Sequence, residues 1–180
     1  MFKNFREKLA RQYILKHHAV SDLKSASLDF KNIKTIFILY EIIDNNTCKD
    51  VDKIVAELSE QGKKVNVLAY FNKKNIPVYF NQRILQNIIT RKNLNWRYMP
   101  IKNEHVKSIS STTYDLLIDL TLQENLPLLY CAAVSKASVK VGRFEDKNKP
   151  YFNLMLYPSK NENIYNFGKQ ILYYLNKITS

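Results

Sequence analysis

The sequence predicts an α/β fold: a single three-layer, Rossmann-like domain with a mainly parallel sheet of five or six strands, plus a basic N-terminal helix. Three observations lead there. Short, β-branched and continuously apolar runs recur along the 180 residues, as strands buried on both faces require. Segments with apolar side chains at three- and four-residue steps alternate with them, which places helices over both faces of the sheet. The earliest strand, helix and strand have the spacing of a right-handed βαβ unit. A chain of this length forms one domain by the usual size relation, and 46% of its residues are hydrophobic, enough for a packed core. The expected organisation is a basic amphipathic helix over 1–24 and one α/β domain over 33–180.

In chain order, MFKNFREKLARQYILKHHAVSDLK (1–24) reads as a helix with Phe2, Phe5, Leu9 and Gln12/Tyr13 on one stripe and Lys3, Lys8, Arg11 and Lys16 mostly off it. KTIFILYEI (34–42) is a buried strand. The following segment carries Val51, Ile54, Val55 and Leu58 on a helical stripe, and Gly62 is placed to stop that helix. VNVLAYF (65–71) is the second strand. KKNIPVYF holds a proline and reads as a loop, NQRILQNIITRKN as a helix through Ile84, Leu85, Ile88 and Ile89, and LNWRYMP as a short strand ended by Pro100. KNEHVKSISSTT is a short polar helix, and TYDLLIDL (113–120) is the clearest strand in the chain. NLPLLYCAAVSK (125–136) is a helix, SVKVGR (138–143) and PYFNLMLYP (150–158) are strands, and residues 161–178 form a terminal helix. There is no internal repeat and no low-complexity tract.

Charge points to the kind of partner. The chain carries 28 Lys+Arg against 16 Asp+Glu, net +12, a balance that favours anionic partners without specifying a fold. The bias concentrates between Lys63 and Lys107, where ten basic residues face one acidic residue, Glu104; residues 41–60 run the other way. Tyr70, Phe71, Tyr79, Phe80, Trp96 and Tyr98 interleave with that basic stretch, and cations beside aromatic faces suit phosphates and unstacked bases of RNA. The candidate nucleic-acid contacts are Lys63, Lys64, Lys73, Lys74, Arg83, Arg91, Lys92 and Arg97, with Lys136, Lys140 and Arg143 extending the same surface. The plain alternative is that the aromatics are core and the lysines a solvated face. An anionic membrane surface is a further partner for residues 1–24.

Several classes are set aside. No apolar run approaches the ~20 residues that span a bilayer, and no signal-peptide core opens the chain. Two cysteines, Cys48 and Cys131, suit free thiols in a reducing cytoplasm. Cys48, beside Lys49 near a helix start, reads as a lone exposed thiol, and Cys131 as a core residue. The only glycines are Gly62, Gly142 and Gly168, so no GxGxxG or GxxxxGK[ST] loop exists and no nucleotide cofactor is expected. His17 and His18 are adjacent on a helix and cannot chelate together, and His105 stands alone, so no metal site is expected.

YDLLIDLTLQENLPLLYCAAVSKASVKVGR resembles part of the acceptor-side domain of heptosyltransferase-type glycosyltransferases, through Asp115–Leu120, Cys131–Ala137 and Val139–Arg143. The stretch covers about residues 113–143. That family's donor-binding second domain has no room here, and after Tyr40 the first strand runs EIIDNNT, without the family's glycine turn. Over nearly its whole length, through GKKV, YFNKK, LNW, DLLIDL and NKPYF, the chain is similar to an uncharacterised family of small bacterial α/β proteins, which implies one intact domain and supplies no activity.

Two carboxylates in DLLIDLT remain to be placed. Asp119 falls where ligands bind, at the carboxyl end of a strand. Asp115 lies at the other end, about 13 Å away by strand rise, so the two form no acid–base pair. Thr121 and Glu124 spell a capping box, and Asn125 is another cap before Pro127. Asp119 and Glu124 are weak catalytic candidates, with Thr121 beside them and Arg143 near an anionic substrate. The favoured function is non-catalytic binding of an anionic macromolecule, RNA or a ribosomal surface. A glycosyltransferase-like enzyme with a cleft at the strand carboxyl ends is the alternative, and a protein-assembly or scaffold subunit the next.

Overall fold

The computed structural model describes residues 2–18, 29–77 and 87–178. Its elements are α1 (Phe2–His18), β1 (Thr35–Ile42), α2 (Asn45–Glu60), β2 (Lys64–Phe71), β3 (Ile88–Thr90), α3 (Glu104–Ser111), β4 (Leu116–Asp119), α4 (Leu126–Val134), β5 (Val139–Arg143), β6 (Leu154–Leu156) and α5 (Ile164–Ile178). The six strands form one sheet in the order β3-β2-β1-β4-β5-β6, and every pairing is parallel. Two halves run outward from β1, so the order reverses between β1 and β4. That reversal opens a crevice at the carboxyl ends of the two strands.

Alternation along each strand divides the core. Ile36, Ile38, Tyr40 and Ile42 of β1 face α2 and α5, while Phe37 and Leu39 face the layer of α1, α3 and α4. α4 is buried on all sides from Leu126 to Ala133, the pattern of a helix clamped between layers. α2 begins in a capping box between Asp44 and Thr47. It ends in a Schellman motif: Lys63 N–H donates to Leu58 O (3.0 Å) and Gly62 N–H to Ser59 O (2.9 Å), with Gly62 at φ 75°. On the same layer α5 approaches α2 so closely that a Cβ on Gly168 would fall inside the contact distance of Ile54 Cδ1.

Three elements differ from the sequence expectation. Of the helix expected over 81–93, residues 81–86 lie outside the described residues, and Ile88–Thr90 is an edge strand. Ile88 pairs with Ala69 and Ile89 with Tyr70, and the two isoleucines point to opposite core layers, which a helix could not achieve. LNWRYMP forms a turn instead of a strand: Asn95 Oδ1 accepts from Arg97 N–H (2.8 Å) and Met99 N–H (3.1 Å), and Tyr98 takes φ 60°. Among the described side chains of α1 the buried ones are Ala10 and Ile14, packed with α4, whereas Phe5 is 59% exposed. The apolar face of the helix is therefore turned from the stripe through Phe5 and Leu9. No helix among the described residues is long and apolar enough to cross a membrane.

Candidate functional site

The basic residues do not make one surface. β2 is eight residues long, so Lys63 and Lys64 at its start stand roughly 25 Å from Lys73 and Lys74 beyond its end. Lys136, in the loop entering β5, shares the amino edge with Lys64. Lys63 is committed inside the protein: its Nζ donates to the carbonyls of Phe30 (2.9 Å), Lys31 (3.1 Å) and Ile33 (2.6 Å). Lys140 is only 3% exposed. Its Nζ donates to Ala132 O (2.8 Å) in the last turn of α4, where a helix collects partial negative charge, and burial lowers its pKa to about 8. Neither lysine is available to a phosphate. Arg83 lies outside the described residues, as do Tyr79 and Phe80.

The carboxyl edge gathers the rest. Lys73, Lys74, Arg91 and Lys92 are exposed on the turns that follow β2 and β3, joined where Arg91 N–H donates to Lys73 O (3.2 Å). None of the four is ion-paired among the described residues. Trp96 is 53% exposed, with the Arg97 guanidinium 4.5 Å from its ring centre. Tyr70 and Phe71, by contrast, are buried core.

Arg143, at the end of β5, belongs to a chain of charges. Arg11 pairs with Glu124, Glu124 with Lys147, Lys147 with Glu145 (2.7 Å), and Glu145 with Arg143 (2.6 Å). The chain straps α1 to the carboxyl edge and holds the Glu124 carboxyl below its usual range despite partial burial. Glu124 is thus a structural tie, and the cap of α4 is Asn125, whose Oδ1 accepts from Leu128 N–H (3.1 Å), in place of the Thr121–Glu124 box. Asp119 accepts from Thr121 N–H (3.0 Å). Burial beneath α4 raises its pKa to about 6, against the pull of that hydrogen bond and of Arg143. It lines none of the cavities below. Asp115 is a brace, accepting from Lys34 N–H (2.9 Å), Thr35 N–H (2.8 Å) and Thr35 Oγ1 (3.0 Å). Cys48 is buried, not exposed, and burial raises its thiol to about 11. Cys131 is buried as expected. Among the described residues no group of three His, Cys, Asp or Glu side chains could hold a metal ion.

Two cavities flank Glu41, the charged residue near the end of β1. One, of about 720 Å³, lies between the ends of β1 and β4 and the first turns of α2 and α5; its charged lining is Glu41, Asp44, Asp50 and Glu162. The other, of about 350 Å³, lies against Tyr70, Tyr98 and the first turn of α4; its charged lining is Glu7, Glu41, Glu124 and Arg91. Sequence reasoning passed over Glu41 and took Tyr98 only as one of several interleaved aromatics. A lone acid in the otherwise apolar TIFILYEI was the available signal for Glu41; nothing local marks Tyr98, whose left-handed backbone depends on the Asn95 turn.

No curated protein matches the chain. A solved structure titled "E. coli heptosyltransferase WaaC with ADP-2-deoxy-2-fluoro heptose" is similar at 13% identity with a TM-score of 0.47, over 77% of this chain and 47% of that one. The chain therefore spans about half the length of that protein. The model of a family of unknown function, DUF6913, matches residues 6–178, and the chain belongs to that family.

Proposed function

We propose that the protein is a non-catalytic module that binds RNA at the β2–β3 corner of its carboxyl edge. The observation that carries this reading is the group of four exposed cations, Lys73, Lys74, Arg91 and Lys92, on two joined turns and without an ion pair among the described residues, followed by the exposed indole of Trp96. Phosphates would be met by the cations and an unstacked base by the indole. The corner replaces the broader surface expected from composition, because Lys63 and Lys140 are engaged internally and Lys64 and Lys136 lie at the other edge.

The test is fluorescence anisotropy with a labelled single-stranded oligoribonucleotide at two salt concentrations. Four phosphate contacts at about −0.7 in log–log slope each imply roughly a 50-fold loss of affinity between 50 and 200 mM salt. The quadruple variant K73A/K74A/R91A/K92A should lose both the binding and the slope. Absence of binding, or binding indifferent to salt, overturns the reading. The 720 Å³ cavity favours a second one, a glycosyltransferase-like cleft; ligand-detected NMR with nucleotide sugars, positive in the quadruple variant too, would favour it.

A further inference from the structure

The smaller cavity adjoins the basic corner, and the two share Arg91. Its position is that of a ligand site, outside the carboxyl ends of the strands next to the order reversal. About 350 Å³ is at the small end for such sites and accommodates one nucleotide, not two. Among the described residues the Glu41 carboxylate and the Arg91 guanidinium, both on its wall, are ion-paired neither with each other nor with any other side chain. The third observation is backbone strain. Tyr98 lines the cavity with φ 60°, an outlier for a bulky residue. It is held there by the Asn95 turn, with the Arg6 guanidinium 4.2 Å from its ring centre. Strain of this kind concentrates at ligand clamps.

An ionised carboxylate only accepts hydrogen bonds, and its two oxygens match the two donors of a vicinal diol. A guanidinium presents a donor fork that matches a phosphate. The tyrosine ring and the apolar Leu126 and Pro127 suit a base. We infer that this cavity receives the 3′-terminal nucleotide of an RNA strand, with the 2′,3′-diol on Glu41, the phosphate on Arg91 and the base against Tyr98. The inference rests on the RNA reading and adds to it a choice of strand end. A free ribonucleoside 5′-phosphate carries the same groups, so the test separates the two sources.

Three 5′-labelled decaribonucleotides of one sequence would be compared on the unaltered protein: one with a free 2′,3′-diol, one ending in a 2′,3′-dideoxynucleotide, one with a 3′-phosphate. The diol form should bind about tenfold more tightly, as two hydrogen bonds to a charged acceptor imply. Glu41→Gln should erase the preference of the diol form over the dideoxy form, with an unchanged circular-dichroism melt. Adenosine 5′-monophosphate in excess should abolish the diol preference and, by occupying the shared Arg91, weaken the blocked oligomers only slightly. Equal affinity for all three oligomers, still sensitive to salt, overturns the terminal assignment and leaves the RNA reading in place. Binding of the mononucleotide with none of the oligomers overturns both and assigns the cavity to free nucleotides.

Discussion

Asp115 and Asp119 stand four residues apart at the two ends of β4, and their surroundings treat them in opposite ways. Asp115 collects three donors from the start of β1, and the charged form is favoured so strongly that its carboxyl sits below the ordinary range. Asp119 is enclosed beneath α4 and is pushed up to about 6. A second contrast separates two groups of cations. At the amino edge charges build the protein: Lys63 gathers three carbonyls and Lys140 closes the end of α4. At the β2–β3 corner of the carboxyl edge, four cations and Glu41 are left without ion-pair partners among the described residues. Charge that stabilises a fold is internally satisfied, and charge left unsatisfied beside cavities is the kind that meets a ligand.

The sharpest way to break this comparison is at Asp115. Asp115→Ala removes three hydrogen bonds to a charged acceptor and should cost about 3 kcal/mol in urea denaturation. Because the folded pKa is depressed, the stabilisation from Asp115 is complete above the unfolded value of about 3.9 and is lost as pH falls through the lower folded value. Asp119 should behave oppositely. Its folded pKa is raised to about 6, so the native state binds the extra proton and stability falls as pH rises from about 4 to about 6. Asp119→Asn keeps an acceptor for Thr121 N–H and removes that slope. The variant should match the parent near pH 4 and exceed it by about 2–3 kcal/mol at pH 7, read from denaturation midpoints; a parent more stable at both pH values would show that the Arg143 attraction outweighs burial. The smallest effects separate lysine from lysine. Lys63→Ala, which removes a charged donor to three carbonyls, should cost about 2 kcal/mol, while Lys92→Ala should leave stability within about 0.5 kcal/mol and lower RNA affinity alone.

Much of the sheet was legible in the sequence. KTIFILYEI and VNVLAYF have the unbroken apolar character that burial on both faces imposes, and Gly62 marks a left-handed stop that another residue would strain to adopt. Ile88–Thr90 escaped because three residues are too few to show a period, and its strand state is set by pairing with Ala69 and Tyr70. The site was less legible. Counting charge along the chain joined Lys63 to Lys73, although the intervening strand puts them at opposite edges. Lys140 lies between Val139 and Val141 of an inner strand, a position that signals burial for any side chain. Asp119 was placed at the carboxyl end of its strand, with no side assigned; alternation turns it under α4, away from both cavities.

The strap from Arg11 through Glu124 to Arg143 has a consequence for synthesis. Arg11 and Glu124 are 113 positions apart, and Ala10 and Ile14 find their apolar partners on α4. A helix emerging early from a ribosome must therefore wait for one made much later. Glu7 and the first turn of α4 both wall the 350 Å³ cavity, so a nascent chain stalled before residue 124 has an incomplete site, and that site closes only once Pro127 has been added.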